Sequence, residues 1–193
     1  MNNECNNKTC PWKGGNSLAG KPRRLFHNPD VILGDYIIPG MWVLDVGCGM
    51  GYMAAAAAQA VGAAGKVILV DIQPEMLAGA MKRMQKVGFE GRAFFIQCKQ
   101  KSLCLENFDS TIDFAYAFMM VHEVNDKMQL LSDLYVTLKP GGRLLVSEPY
   151  VHVSRSNFRE TLACAKALGY EASPPSRRIK LCRTIILRKP ERV

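Results

Sequence analysis

Long apolar runs are missing from this 193-residue chain. No stretch approaches the roughly 18 consecutive apolar residues of a membrane span, and Met1-Asn2-Asn3-Glu4-Cys5 contains no apolar signal core. A cytoplasmic protein without membrane contact is expected. Aromatic residues make up only 8% of the chain, and none interleaves the basic runs as a base-stacking platform requires. Disulfide and finger patterns are absent too. Cys5, Cys10, Cys48, Cys98, Cys104, Cys164 and Cys182 are odd in number and scattered, which reads as reduced thiols. Cys5 and Cys10 have four residues between them, but no second Cys/His pair supplies finger spacing, so no metal is expected. There is no internal repeat and no insertion large enough to form a second domain.

What is present is ordinary for one globular domain: 48% hydrophobic and 22% charged residues, in a chain long enough to bury a core without metal or disulfide support. Base exceeds acid by +8. Much of the excess lies in Lys8, Lys13, Lys21, Arg23 and Arg24, and again in Arg177, Arg178, Lys180, Arg183, Arg188 and Lys189. A solvated basic face accounts for such runs, while nucleic acid stays open as a partner. Residues 1–21 are polar and rich in Gly and Asn, and are read as a loose N-terminal arm. Residues 22–193 form the domain.

The informative segment is Val43-Leu44-Asp45-Val46-Gly47-Cys48-Gly49-Met50-Gly51. Apolar residues from Trp42 to Val46 read as a buried parallel strand, and the glycines that follow let the backbone turn tightly and approach a ligand. Tyr52 to Ala60 is a strong helix former. Val67 to Asp71 is a second strand ending in a carboxylate, about where a nucleotide fingerprint places the acceptor for ribose hydroxyls. A dinucleotide fingerprint wants G-x-G-x-x-G or A, whereas Tyr52 holds the third position here and Gly51 comes one residue early. A nicotinamide dehydrogenase is therefore disfavoured.

The rest alternates. Helical spacing follows Pro74 through Met76, Leu77, Met81, Met84 and Val87. Ala93 to Cys98, Ile112 to Phe118 and Arg143 to Ser147 read as strands, with a helix over Lys127 to Leu138. Phe158 to Leu168 reads as a further helix, and Tyr170 to Ser173 with Leu181 to Leu187 as a closing antiparallel hairpin. The expected fold is α/β: a doubly wound, seven-stranded, mostly parallel sheet with an antiparallel last strand, in three αβα layers.

Asp45-x-Gly47-x-Gly49-x-Gly51 resembles the first motif of the class I S-adenosylmethionine-dependent methyltransferases, small stand-alone type, similar to the ubiquinone-biosynthesis-like group. Asp113 to Phe118 resembles that family's fourth strand, and Leu138-Lys139-Pro140-Gly141-Gly142-Arg143-Leu144 its turn into the fifth. The resemblance covers roughly residues 25 to 190. It implies S-adenosylmethionine as cofactor and methyl transfer to a small-molecule acceptor.

In that reading Asp71 takes the ribose hydroxyls, Ile72 and Met76 sandwich the adenine, and Gly47, Cys48, Gly49 and Gly51 approach the methionine portion, with Asp45 facing its ammonium group. Phe118 completes the wall. The family usually has an acidic residue after the third strand, near the adenine amino group, whereas Gln97-Cys98-Lys99-Gln100-Lys101 stands here. Lysine cannot accept that hydrogen bond, which leaves Gln100 or backbone groups to read the base.

All the histidines, His27, His122 and His152, fall where the C-terminal edge of the sheet can reach. His122 stands in the family's fourth motif and can accept a proton near neutral pH; Glu123 could orient it or hold an acceptor. His27, Met119 and His152 are candidate acceptor contacts, and the apolar Phe118, Met119, Met120, Tyr150 and Trp12 favour a small, partly apolar acceptor. There is no Asn- or Asp-Pro-Pro-Tyr stretch after the fourth strand, which removes one class of amino-methylating enzymes. An RNA methyltransferase, or a module that binds the cofactor without turnover, remains as an alternative.

Overall fold

Strand and helix alternate as the apolar runs dictate. The computed structural model describes residues 21–191, so the arm residues Cys5, Lys8, Cys10, Trp12 and Lys13 lie outside the described residues. The strands are β1 (Trp42–Val46), β2 (Lys66–Asp71), β3 (Ala93–Gln97), β4 (Ile112–Phe118), β5 (Leu138–Pro149), β6 (Glu171–Ser173) and β7 (Cys182–Arg188). They form one sheet in the order β3-β2-β1-β4-β5-β7-β6. β1 to β5 run parallel, and β7 runs antiparallel to both its neighbours. This is the doubly wound sheet expected.

Helices cover both faces. α2 (Pro29–Leu33), α3 (Tyr52–Val61) and α4 (Pro74–Lys86) supply one apolar cluster, with α1 (Lys21–Phe26) preceding them; α5 (Lys127–Thr137) and α6 (Arg155–Ala167) supply the other. Strand residues alternate between the two, because successive side chains on a strand point to opposite faces. On β4, Phe114, Tyr116 and Phe118 fill the α3 side, while Ala115 and Ala117 admit α5 and α6 on the other. Asp126 and Ser154 start α5 and α6 by accepting the N–H of Gln129 and Asn157, which satisfies donors the helix cannot pair itself.

Two element starts differ from the sequence reading by three residues or more. β5 begins at Leu138, not Arg143, because Pro140-Gly141-Gly142 is absorbed into the strand as an irregularity: Ile112 pairs with Leu138, while Phe114 already pairs with Arg143. Gly141 and Gly142 exchange hydrogen bonds with Lys189, at 2.8 and 2.9 Å. α6 begins at Arg155, three residues before Phe158, because Ser154 caps it.

Strand order reverses between β1 and β4. After β1 the chain winds outward through β2 and β3, then returns to place β4 on the other side of β1. The two loops leaving the C-terminal ends of β1 and β4 thus diverge and open a crevice, the position where ligands bind in open α/β sheets.

Candidate functional site

The crevice starts with the backbone. Beyond β1, the N–H groups of Gly47 and Cys48 both donate to the Val70 carbonyl, at 2.9 and 3.0 Å, and Gly51 N–H closes the turn on Cys48. Gly47 and Gly49 have φ of +69° and +53°, a left-handed backbone that side chains disfavour. A Cβ on Gly47 would stand 2.9 Å from Met120, whereas one on Gly49 would project into open space. Gly47 therefore lets the two diverging loops pack, and Gly49 leaves the crevice open.

Asp71 ends β2 and ties the same turn in place. Its carboxylate accepts the N–H of Gly49 at 2.9 Å and of Gln73 at 3.0 Å, one on each oxygen. It is 7% exposed. Burial pushes its carboxyl above the usual aspartate value, and the backbone donors of Gln73, Gly49 and Ile72 oppose that shift. Asp45, beside Tyr116 in the β1–β4 register, is buried in the same wall.

The opposite wall comes from β4 and β5. Met119 has φ of +61°, a strained conformation for a residue with a side chain, of the kind that collects at functional sites; its N–H is held by the Ser147 carbonyl at 2.7 Å. A single 3-10 turn, Val121–Glu123, then presents His122. Its Nδ1 lies 2.6 Å from an oxygen of Glu148. That hydrogen bond raises the proton affinity of His122, burial opposes it, and the charges of Glu148 and Glu123 add to the rise. The His152 ring lies parallel to His122, centroids 5.7 Å apart.

These walls enclose a cavity of about 1230 Å³, ample for a nucleoside cofactor together with a second small molecule. It is lined by His27, Asp45, Gly47, Cys48, Gly49, Asp71, Ile72, Met76, Gln100, Phe118, Met119, His122, Glu123 and His152. Among the residues singled out in the sequence, Gly51 does not line it; a Cβ there would meet Ala80 of α4 at 3.1 Å, so Gly51 lets the helices pack. Glu123 lines the cavity, but the carboxylate bonded to the His122 ring is Glu148. His27 is buried, with Nε2 donating to the Lys180 carbonyl at 2.9 Å and its ring edge-on to Phe118. It joins the segment after α1 to that before β7.

Glu148 is the residue that motif reading passed over. A signal existed: a carboxylate at the C-terminal end of an otherwise apolar strand, on the edge where function collects. Tyr52 was read as a helix start and as the residue that breaks a dinucleotide fingerprint; its hydroxyl donates to the His27 carbonyl at 3.1 Å in the cavity wall. Among the described residues no group of three His, Cys, Asp or Glu is placed to hold a metal ion, and no helix is long and apolar enough to cross a membrane.

A profile of the methyltransferase domain matches residues 37–173. The ubiquinone/menaquinone biosynthesis C-methyltransferase UbiE of Escherichia coli is 36% identical over 109 residues, which are 56% of this chain and 43% of that enzyme. The match thus spans less than half of that relative's length. Among solved structures, a SAM-dependent methyltransferase from Aquifex aeolicus superposes with a TM-score of 0.82 at 22% identity, covering 93% of this chain and 99% of the other. The phosphoethanolamine N-methyltransferase 2 of Haemonchus contortus, in complex with phosphomonomethylethanolamine and S-adenosylhomocysteine, gives 0.62 at 24% identity, covering 77% of this chain and 38% of the other. These structural likenesses concern the fold.

Proposed function

The chain belongs to the methyltransferase-domain family, the class I S-adenosylmethionine-dependent enzymes, and from that premise we propose that it is of the ubiquinone-biosynthesis-like group and transfers a methyl group to a small-molecule acceptor. The observation that carries the reading is the cradle itself. Asp71 and the backbone of Gly47 to Gly49 meet in one buried turn, opposite a base-bearing wall and with room for a second molecule between them.

The residues present suit the cofactor. A buried carboxylate with lone pairs to spare matches a vicinal diol, and the open side of Gly49 admits a ligand where a Cβ would project. Asp71 would hold the ribose hydroxyls; Ile72, Met76 and Gln100 the adenine; Gly47, Cys48, Gly49 and Phe118 the methionine portion, with Asp45 toward its ammonium. Bound there, S-adenosylmethionine supplies a methyl group on a positively charged sulfur that leaves as a neutral thioether.

The chain's own part is to orient and to take a proton. Held behind the transferred group, an acceptor gains most from alignment, and a positioned base adds to it when the acceptor is not already ionised. His122 is that base, with Glu123, Met119, His152 and His27 along the acceptor wall. The lining charges argue against a polyanion: Asp45, Asp71, Glu123, Asp126 and Asp133 face only Lys99 and Lys101. Among the described residues no other lysine or arginine lines the cleft.

Incubation with methyl-labelled cofactor and a fractionated cell extract tests the proposal. Label should appear in a low-molecular-weight product; label confined to RNA would replace this reading with the nucleic-acid alternative, and label in neither would leave a binding module without turnover.

A further inference from the structure

One polar atom of the core is not accounted for by packing. Tyr116 lies in the middle of β4 with no exposed surface, and among the described residues its enclosed hydroxyl makes no hydrogen bond of ordinary geometry. Such a group destabilises a fold. Phe114 and Phe118, two positions away on either side, fill the same face of the strand without a hydroxyl, so phenylalanine would serve the volume at 116 equally well. The ring is fixed as well, tilted against Phe114 with centroids 6.2 Å apart.

The carboxylate that acts on this hydroxyl is Asp45. The two are partners in the β1–β4 register, and register partners of a parallel pair project to the same face of the sheet. Burial pushes the Tyr116 phenol well above the ordinary tyrosine value; Asp45 adds to the rise by its charge and as an acceptor, an approach that stops short of a formed bond, and the charge of Cys48 adds further. The Cys48 thiol itself donates to the Gly49 carbonyl at 3.4 Å. Asp45 is 2% exposed and lines the cavity, whereas Tyr116 does not line it. Seen from the cavity, the hydroxyl lies behind the carboxylate.

We infer that Tyr116 is a positioning residue for the amino-acid portion of the cofactor: its hydroxyl donates to Asp45 from behind when that carboxylate receives the ammonium group. This rests on the methyl-transfer reading above, in which Asp45 faces that group. The terminal torsion of an aspartate is broad and only weakly fixed by its own rotamer preference, so a donor on one side decides which lone pairs point into the cavity. The hydroxyl that lacks a partner in the free protein gains one in the bound protein. Part of the binding free energy thus resides in a group that never touches the ligand.

Two ligands separate this role from packing. S-adenosylhomocysteine carries the amino-acid portion, and 5′-methylthioadenosine has the same adenosine and thioether sulfur without it. In calorimetric titrations of the full chain, Tyr116→Phe should weaken S-adenosylhomocysteine about three- to tenfold and leave methylthioadenosine within about twofold of wild type. A merely structural hydroxyl would move both ligands or neither, and any such pattern overturns the proposal. In an Asp45→Ala background the same substitution should add no further loss of S-adenosylhomocysteine affinity; an added loss overturns the proposal too. A last measurement needs no variant and so decides even if Tyr116→Phe fails to fold. In wild-type protein with carbon-13-labelled tyrosine, the Tyr116 Cζ resonance should move on saturation with S-adenosylhomocysteine and stay in place with methylthioadenosine; movement with both or with neither contradicts the assignment. Failure of both ligands to bind the wild-type chain would strike the methyl-transfer reading instead, which keeps the two failures apart.

Discussion

Replacing Asp71 with Asn changes two quantities that separate cleanly. In the free protein the two carboxylate oxygens accept one backbone N–H each, from Gly49 and Gln73. An amide offers a single oxygen, so one buried N–H must face the new NH2 group, at a cost of about 1–3 kcal/mol. For a domain of this size that lowers the melting temperature by roughly 2–4 °C per kcal/mol. Binding suffers further. Hydrogen bonds to a charged acceptor contribute about 1.5–3 kcal/mol each, so weakening even one toward a neutral bond costs on the order of 1–2 kcal/mol, or roughly five- to thirtyfold in Kd. Isothermal calorimetry with S-adenosylhomocysteine on the folded variant, beside a thermal melt, measures both. An unchanged Kd would refute the ribose assignment, whatever happens to the melt.

Further outcomes follow from the same geometry. Gly47→Ala puts a Cβ 2.9 Å from Met120 in a left-handed conformation, and backbone strain plus overpacking should cost about 2–5 kcal/mol, read as a lowered denaturant midpoint. His122→Ala should lower kcat by about 10²–10⁴-fold with cofactor Kd retained; unchanged kcat toward the identified acceptor removes the base. Because Glu148 raises the proton affinity of His122, the pair's contribution to stability is fully present below 6.5, the unfolded value, and is lost as pH rises through the higher folded value. The stability gap between wild type and His122→Ala, measured by urea titration, should therefore narrow across that window. Catalysis runs the other way, since the base must be neutral.

The sheet was legible because its strands are near-continuous apolar runs, bounded by Gly, Pro and capping residues at spacings that only a parallel sheet with crossover helices satisfies. The placement of Asp71, Gly47 and Gly49 at the crevice was legible for a related reason: it is local, set by a strand end and a turn a few residues long. Gly51 shows where that reasoning stops. The sequence spacing puts it with Gly47 and Gly49, yet its missing side chain serves α4 through Ala80, a contact across 29 residues that no local pattern encodes. The His122–Glu148 bond spans 26 residues and joins the turn after β4 to β5. The adjacent Glu123 was the carboxylate a linear reading offered, and only the β4–β5 pairing brings Glu148 beneath the ring. The bulge at Gly141 and Gly142 was read as a turn because Pro-Gly-Gly signals both, and the partner strand decides between them.

Everything functional depends on one crevice accepting one nucleoside. Calorimetric titration of the wild-type chain with S-adenosylmethionine measures this most directly. A single saturable site, displaced competitively by S-adenosylhomocysteine and unaffected by NADH, is the result expected. No heat and no displacement at millimolar ligand would contradict the assignment of the Gly47 to Asp71 cradle.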